Sequence, residues 1–101
     1  MTKTAFQELG FENAEELATK SNLIRFVAAE IKRRDLTQAA AGEILGLDQP
    51  NVSALVNEKI SRFSVEKLMM FSAKLGFKVS IHIEGHGTKI DMPVQAAAWD
   101  E

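Results

Sequence analysis

The sequence has no cysteine and no long apolar run, and both absences restrict its function. Without cysteine, the 101-residue chain has no disulfide framework, no thiol nucleophile and no cysteine-based zinc site. Its apolar stretches are shorter than a membrane span, and the N-terminus lacks the apolar core of a signal peptide. We therefore expect a single-domain cytoplasmic protein with no membrane partner, whose 46% apolar residues can form a compact core.

The chain also lacks a strong net charge, which is −2 with neutral histidines. The charge is unevenly distributed: −2 over residues 1–20, +3 over residues 21–83 and −3 over residues 84–101. For DNA binding a local basic face matters more than the sum, because neutralising phosphates supplies the sequence-independent part of affinity. Only the middle segment could thus present a basic face to a nucleic acid, whereas the acidic ends suit a basic protein partner.

Patterns typical of catalysis or metal binding are scarce. The sequence has no Ser/His/Asp constellation and no glycine-rich phosphate loop. His82, Glu84 and His86 resemble metal ligands only superficially, since His82 and Glu84 share a strand face while His86 lies on a glycine-flanked turn. Solvated strand-face residues explain them better, so we expect no enzyme activity, no catalytic residues, no cofactor and no metal site.

Residues 36–56, with the sequence LTQAAAGEILGLDQPNVSALV, predict two short helices joined by a tight turn. Thr37 is a good N-cap for a first, alanine-rich helix over residues 38–45. Gly46 follows, at the C′ position that favours a left-handed backbone. Asp48 can cap the second helix.

The second helix carries further signals in its first turns. Pro50 lies where a missing N–H costs little, although it biases Gln49 away from helical angles, so the start could shift by one residue. Leu47 and Val52 have the spacing of a hydrophobic staple. Gly42 of the first helix falls where the two helices would cross closely. Two such short helices are unstable alone, so the rest of the chain must pack on them.

Two longer helices flank this pair. The first runs from about residue 13 to about residue 34, with apolar residues at the spacing of a buried stripe. It ends in the basic run Lys32–Arg34, which is either a solvated C-terminal cap or a contact to DNA phosphates. The second runs over residues 65–75; Ser64 caps its start, and Gly76 follows its end.

The segment Phe77–Glu84 alternates apolar and polar residues and predicts a half-buried strand. It can pair with residues Thr88–Met92 through the turn at Gly85–Gly87, or with its own copy in a second subunit. We favour the second subunit. The predicted organisation is an N-terminal arm over 1–12, a domain over 13–84, and a turn with a flexible tail over 85–101.

The paired helices resemble the helix-turn-helix of the phage-repressor (Cro/C1, or XRE) superfamily, in which the second helix enters the DNA major groove. The residues that carry the resemblance occur in this order: Phe6, Leu9-Gly10-Phe11, Leu36-Thr37-Gln38, Leu45-Gly46, Asp48-Gln49-Pro50, Val52-Ser53, Phe63-Ser64 and Leu75-Gly76. It covers about residues 5–84. The implied fold is mainly α: a four- to five-helix phage-repressor-like domain followed by one C-terminal strand or short hairpin.

Taken as a set, these motifs are similar to small XRE-type regulators encoded beside a RelE/HigB-like toxin. The resemblance implies a HigA-like antitoxin: a homodimer that represses its own operator on double-stranded DNA and binds an mRNA-cleaving toxin. Two alternatives stay open. One is a protein-interaction module that neutralises the toxin with little DNA binding, and the other is a stand-alone phage-type repressor.

The resemblance also implies which residues contact DNA. Those expected to face the bases are Gln49, Pro50, Asn51 and Ser53. Those expected to contact the DNA backbone are Asn57, Lys59 and Arg62. Gln38 resembles the residue that braces the recognition helix and touches phosphate. The amides of Gln49 and Asn51 can each donate to and accept from base edges, with adenine preferred. For Lys59 and Arg62, an ordinary solvated surface is an equally good explanation.

Three positions depart from the relatives. Arg is frequent where this chain has Asn51, and a basic residue followed by Gly is frequent where it has Asn57 and Glu58. Ala41 replaces a larger apolar residue. The first two departures predict weaker DNA affinity, and the third predicts a looser local core.

Overall fold

The computed structural model describes residues 13–94, which form four α-helices and a C-terminal hairpin. In chain order the elements are α1 (Asn13–Arg33), α2 (Gln38–Leu45), α3 (Gln49–Val56), a 3-10 turn (Ile60–Arg62), α4 (Val65–Lys74), β1 (Val79–Gly85) and β2 (Thr88–Val94). This mainly α architecture confirms the predicted fold class. The predicted N-terminal arm over residues 1–12 and residues 95–101 of the predicted tail lie outside the described residues.

The core lies where α1 crosses α3 and α4. The largest fully buried side chains come from all four helices: Ile24, Val27, Leu45, Val52, Leu55, Leu68 and Phe71. Fully burying one such apolar side chain contributes about 1.5–3 kcal/mol. Val52 and Leu55 anchor one side of α3 in this core, so the opposite side of α3 faces outward.

All four helices end with the same backbone motif. The residues just beyond each helix with a left-handed backbone are Asp35, Gly46, Glu58 and Gly76. In each case the next residue donates its backbone N–H to the carbonyl five positions earlier, at 2.9–3.2 Å. This is the Schellman motif, which satisfies carbonyls that a helix end leaves unpaired. Glycine suits the motif, whereas Asp35 and Glu58 adopt φ of 54° and 56° at a steric cost.

Gly42 lies at the close crossing of α2 and α3, as predicted. A Cβ atom added there would stand 2.7 Å from the carbonyl oxygen of Leu47 and 3.3 Å from Cγ2 of Val52. Only glycine therefore lets the turn after α2 fold back this tightly.

The hairpin corrects the preferred pairing of the strand. β1 pairs antiparallel with β2 of the same chain, with Ile81 opposite Met92 and Ile83 opposite Ile90. Its loop residues His86 and Gly87 both have positive φ, 48° and 76°, which matches the twist of a two-residue hairpin. This turn lets β2 supply the pairing partner that was expected from a second subunit. The strand β2 also extends through Val94, two residues beyond the predicted end.

The prediction of a half-buried strand over Phe77–Glu84 is wrong in two respects. The strand begins at Val79, and its apolar residues Ile81 and Ile83 are 38% and 47% exposed. The reason is that only the base of the hairpin, at Val79 and Val94, lies against the end of α4 near Gly76. The rest of the hairpin projects beyond the helices. Phe77 precedes the strand and packs on the core side, with its ring 4.8 Å from that of Phe26.

Candidate DNA-binding surface

The caps predicted for α2 and α3 are present. The Thr37 hydroxyl accepts a hydrogen bond from the backbone N–H of Ala40 at 3.1 Å. Oδ1 of Asp48 accepts from the backbone N–H of Asn51 at 3.0 Å and also from its side-chain Nδ2 at 2.8 Å. α3 starts at Gln49, directly after its cap, so Pro50 does not shift the helix. The asparagine amide is thus held by the residue that caps the helix.

The first turn of α3 forms the outward surface of the helix-turn-helix. Gln49 and Pro50 are exposed, whereas Asn51 and Ser53 are half-buried. Val52 lies among them at 0% exposure and fixes the turn on the core. These side chains are therefore presented to solvent by a rigid, capped helix.

Gln49 and Asn51 project to opposite sides of α3. Residues two positions apart differ by about 200° around a helix of 3.6 residues per turn. Gln49 lines a groove of about 300 Å³ together with Gln38 and Glu43. Asn51 lines a different groove, of about 380 Å³. The structure thus brings Gln38 and Gln49 to one groove and Asn51 to another.

Ser53 and Asn57 are joined one helical turn apart. Nδ2 of Asn57 donates to the backbone carbonyl of Ser53 at 2.9 Å and lies 3.4 Å from its Oγ. Asn57 therefore caps the end of α3, and part of its donor capacity is already used. Glu58, which lies between Asn57 and Lys59 in the sequence, has a left-handed backbone.

The cations near α3 include two that the sequence reasoning missed. Lys59, which precedes the 3-10 turn, and Arg62, which ends it, are both exposed. Lys67 and Lys74 of α4 line the same groove as Arg62 and Asn51. The available signal was the spacing of these lysines, seven residues apart on one helix face.

The basic run at the end of α1 is an ion-pair cluster. Glu30 accepts hydrogen bonds from Arg33 at 2.6 and 2.7 Å and from Arg34 at 2.7 Å. The hydrogen bonding from Arg33 is the largest cause that lowers the pKa of Glu30, from 4.5 to about 2. Arg34 also donates to the carbonyl oxygen of Leu75 at 2.7 Å, and its guanidinium lies 5.5 Å from the ring centroid of Phe77. Arg33 and Arg34 therefore have structural partners, which favours the cap over the phosphate contact.

The polar face of the hairpin is a set of cross-strand pairs. Nδ1 of His82 lies 2.6 Å from Oδ1 of Asp91, and Nζ of Lys89 lies 3.4 Å from Oε2 of Glu84. Within residues 13–94, no three or more His, Asp or Glu side chains are arranged to hold a metal ion. In the same part of the chain, none of the helices is both long and apolar enough to cross a membrane.

Comparisons with known proteins agree with this geometry. A family model described as a helix-turn-helix domain matches residues 5–84. A search among curated proteins found no match. A solved structure assigned to the XRE family of transcriptional regulators is 45% identical in sequence, with a TM-score of 0.70; the match covers 75% of this chain and 85% of that one. The chain therefore belongs to the XRE-type helix-turn-helix family of transcriptional regulators.

Proposed function

We propose that this protein is a sequence-specific, DNA-binding repressor that acts as a homodimer, with α3 as its recognition helix. The observation that carries the proposal is the exposed first turn of α3. Asp48 caps it, and Val52 anchors it at 0% exposure. A helix entering the major groove reads base edges with its N-terminal residues. Here those residues include the amides of Gln49 and Asn51, which suit adenine.

The other assigned residues divide between the bases and the backbone. Pro50 and Ser53 would face the bases beside the two amides. Gln38, Asn57, Lys59 and Arg62 would contact the sugar-phosphate backbone and set the register of the helix in the groove. The shared groove of Gln38 and Gln49 supports this division, because a residue proposed for the backbone then lies next to one proposed for the bases.

The recognition-helix assignment is tested with the double variant Gln49→Ala/Asn51→Ala on the promoter DNA of its own gene. We expect specific affinity to fall by at least about tenfold, because each bidentate amide–base pair is worth about 1–3 kcal/mol. Binding to random-sequence DNA should change little. The matched control is Asn22→Ala, which removes an exposed amide from α1. If the double variant binds the promoter as well as the parent chain, the assignment is wrong.

The homodimer is proposed to form through the apolar face of the hairpin. Four of its side chains are 38–47% exposed: Ile81, Ile83, Ile90 and Met92. A contiguous exposed apolar face of this kind is typical of an interaction surface. A second copy is the favoured occupant, because helix-turn-helix repressors read two half-sites with two-fold symmetry.

The dimer is tested by light scattering after size-exclusion chromatography. The variant Ile83→Lys should be monomeric with unchanged helical circular dichroism, and its promoter affinity should fall. The control Ser80→Lys adds the same charge on the opposite face of β1, where Ser80 is paired with Pro93. A monomeric parent chain, or a dimeric Ile83→Lys variant, would contradict this interface.

An antitoxin role is the second part of the proposal. The acidic ends of the chain, −2 over residues 1–20 and −3 over 84–101, suit a basic ribonuclease as partner. The test is expression of the neighbouring gene alone and together with this one. Growth inhibition that this chain relieves would support an autorepressing antitoxin. If the neighbouring gene does not inhibit growth, the protein is a stand-alone repressor. If this chain relieves growth inhibition but does not bind the promoter, it is a toxin-neutralising module with little DNA binding.

A further inference from the structure

The two grooves beside α3 differ in charge. Among residues 13–94, the groove on the Gln49 side has one charged lining residue, the carboxylate of Glu43. Within the same residues, the groove on the Asn51 side is lined by three cations, Arg62, Lys67 and Lys74, and by no carboxylate. Three of the nine Lys and Arg residues in the mildly basic segment 21–83 therefore line one flank of the helix.

The geometry of α4 spreads this charge along the groove. Lys67 and Lys74 are seven residues apart on one face of α4, which separates their Cα atoms by about 10 Å at 1.5 Å per residue. The side chain of Lys74 extends to the turn before α3. Its Nζ lies 3.7 Å from the position that a Cβ atom on Gly46 would occupy. Between the lysines, Met70 and Phe71 close the floor of the groove. One DNA strand presents a phosphate about every 3.4 Å along the helix axis, so the two ammonium groups can meet different phosphates.

We infer that the groove formed by Arg62, Lys67 and Lys74 binds the phosphates of the DNA strand on the Asn51 side of α3. This inference rests on the proposed function. An α-helix is about as wide as the major groove, so a helix bound there has a phosphate strand on each side. The contacts on the Asn51 side are then ionic, whereas those on the Gln38 side are neutral. The asymmetry lets a chain with a net charge of −2 bind DNA.

The experiment measures how affinity for promoter DNA and for a random-sequence duplex depends on salt, between about 50 and 200 mM. Lys67→Gln should reduce the slope of log K against log salt by about 0.9 on both DNAs, the value for one neutralised phosphate, and Lys74→Gln should change the slope in the same direction. Lys67→Arg and Lys74→Arg should restore it. The control Lys89→Gln removes an equal charge from the hairpin, where Lys89 pairs with Glu84, and should leave the slope unchanged.

The outcomes separate this inference from the proposed function. Unchanged slopes in both glutamine variants, with the parent chain still binding DNA, would overturn the phosphate groove and leave the repressor proposal intact. Failure of the parent chain to bind either DNA would overturn both. Inorganic phosphate is the further probe. If it raises the melting temperature without DNA at constant ionic strength, Lys67→Gln abolishes that effect, and the DNA salt slopes of the glutamine variants are unchanged, the groove is a free-anion site and its assignment to a DNA strand is wrong.

Discussion

Asp48 and Asn51 are joined by two hydrogen bonds at the start of α3. One carboxylate oxygen of Asp48 accepts from the backbone N–H of Asn51 at 3.0 Å and from its side-chain amide at 2.8 Å. The bonds restrict the asparagine side chain, but they also place a negative charge at the tip of the proposed recognition helix. The cap therefore stabilises the helix and opposes the approach of phosphate.

Replacing Asp48 with serine separates these two effects. Serine caps as well as aspartate, so the free energy of unfolding should change by less than about 0.5 kcal/mol. Promoter affinity should rise about fivefold at low salt, since one unscreened charge contact in water is worth about 1 kcal/mol. Chemical denaturation and fluorescence anisotropy measure the two quantities. Asp48→Ala is the control that removes the cap and should lose about 1 kcal/mol of stability. A decrease in affinity in Asp48→Ser would contradict this expectation and mean that the carboxylate favours binding, either by contacting DNA or by holding the amide of Asn51.

Substitutions of Glu58 also separate an effect on stability from an effect on DNA binding. Glu58 has a left-handed backbone, with φ of 56°, and lies between the proposed DNA contacts Asn57 and Lys59. Glu58→Gly should stabilise the protein by about 1 kcal/mol, the steric cost that glycine avoids. This corresponds to a rise in melting temperature of about 4–8 °C for a small domain. It should also strengthen DNA binding by removing a carboxylate. Glu58→Gln is the matched control: it should strengthen binding without raising the melting temperature. Equal melting temperatures for Glu58→Gly and the parent chain would contradict the strain argument.

The helix-turn-helix could be predicted from the sequence because its determinants are local. Thr37, Gly46 and Asp48 act through hydrogen bonds within five residues of their own positions, and all three occur where predicted. Gly42 belongs to this group as well, since its neighbours in the crossing come from the next ten residues. Propensity and capping rules describe interactions of this range.

The remaining features depend on contacts that spacing does not encode. The alternation in β1 identifies an apolar face, but not whether the helices cover it, and Ile81 and Ile83 lie on an exposed hairpin instead. Lys67 joins the candidate site only because α4 packs against α1 and α2, which brings it to the groove of Asn51. The bond from Arg34 to the carbonyl of Leu75 spans 41 positions. Such pairs follow from the tertiary fold, and local patterns do not specify them.

The close crossing at Gly42 predicts that Gly42→Ala destabilises the domain. Alanine improves helix propensity by about 1 kcal/mol. Its Cβ, however, would stand 2.7 Å from the carbonyl oxygen of Leu47, and forced backbone shifts of this kind cost about 1–3 kcal/mol. We expect a net loss of about 1 kcal/mol in urea denaturation. Glu43→Ala, at the exposed next position, should stay within about 0.5 kcal/mol of the parent chain. A stabilised Gly42→Ala variant would show that the turn can move away.

The ion-pair cluster at the end of α1 predicts a specific pH dependence of stability. Arg33 and Arg34 hold the pKa of Glu30 at about 2, compared with 4.5 for an ordinary glutamate. A lowered pKa means that the folded state favours the ionised carboxylate, so the stabilisation is complete above pH 4.5 and is lost as the pH falls toward about 2. Glu30→Gln should melt below the parent chain at neutral pH, and the difference should shrink across this window. Glu66→Gln is the control, because Glu66 is an exposed glutamate in the first turn of α4. The difference in melting temperature between Glu66→Gln and the parent chain should not shrink across this window. A gap between Glu30→Gln and the parent chain that stays constant from neutral pH to pH 2 would show that Glu30 stabilises the fold by packing and not by its charge.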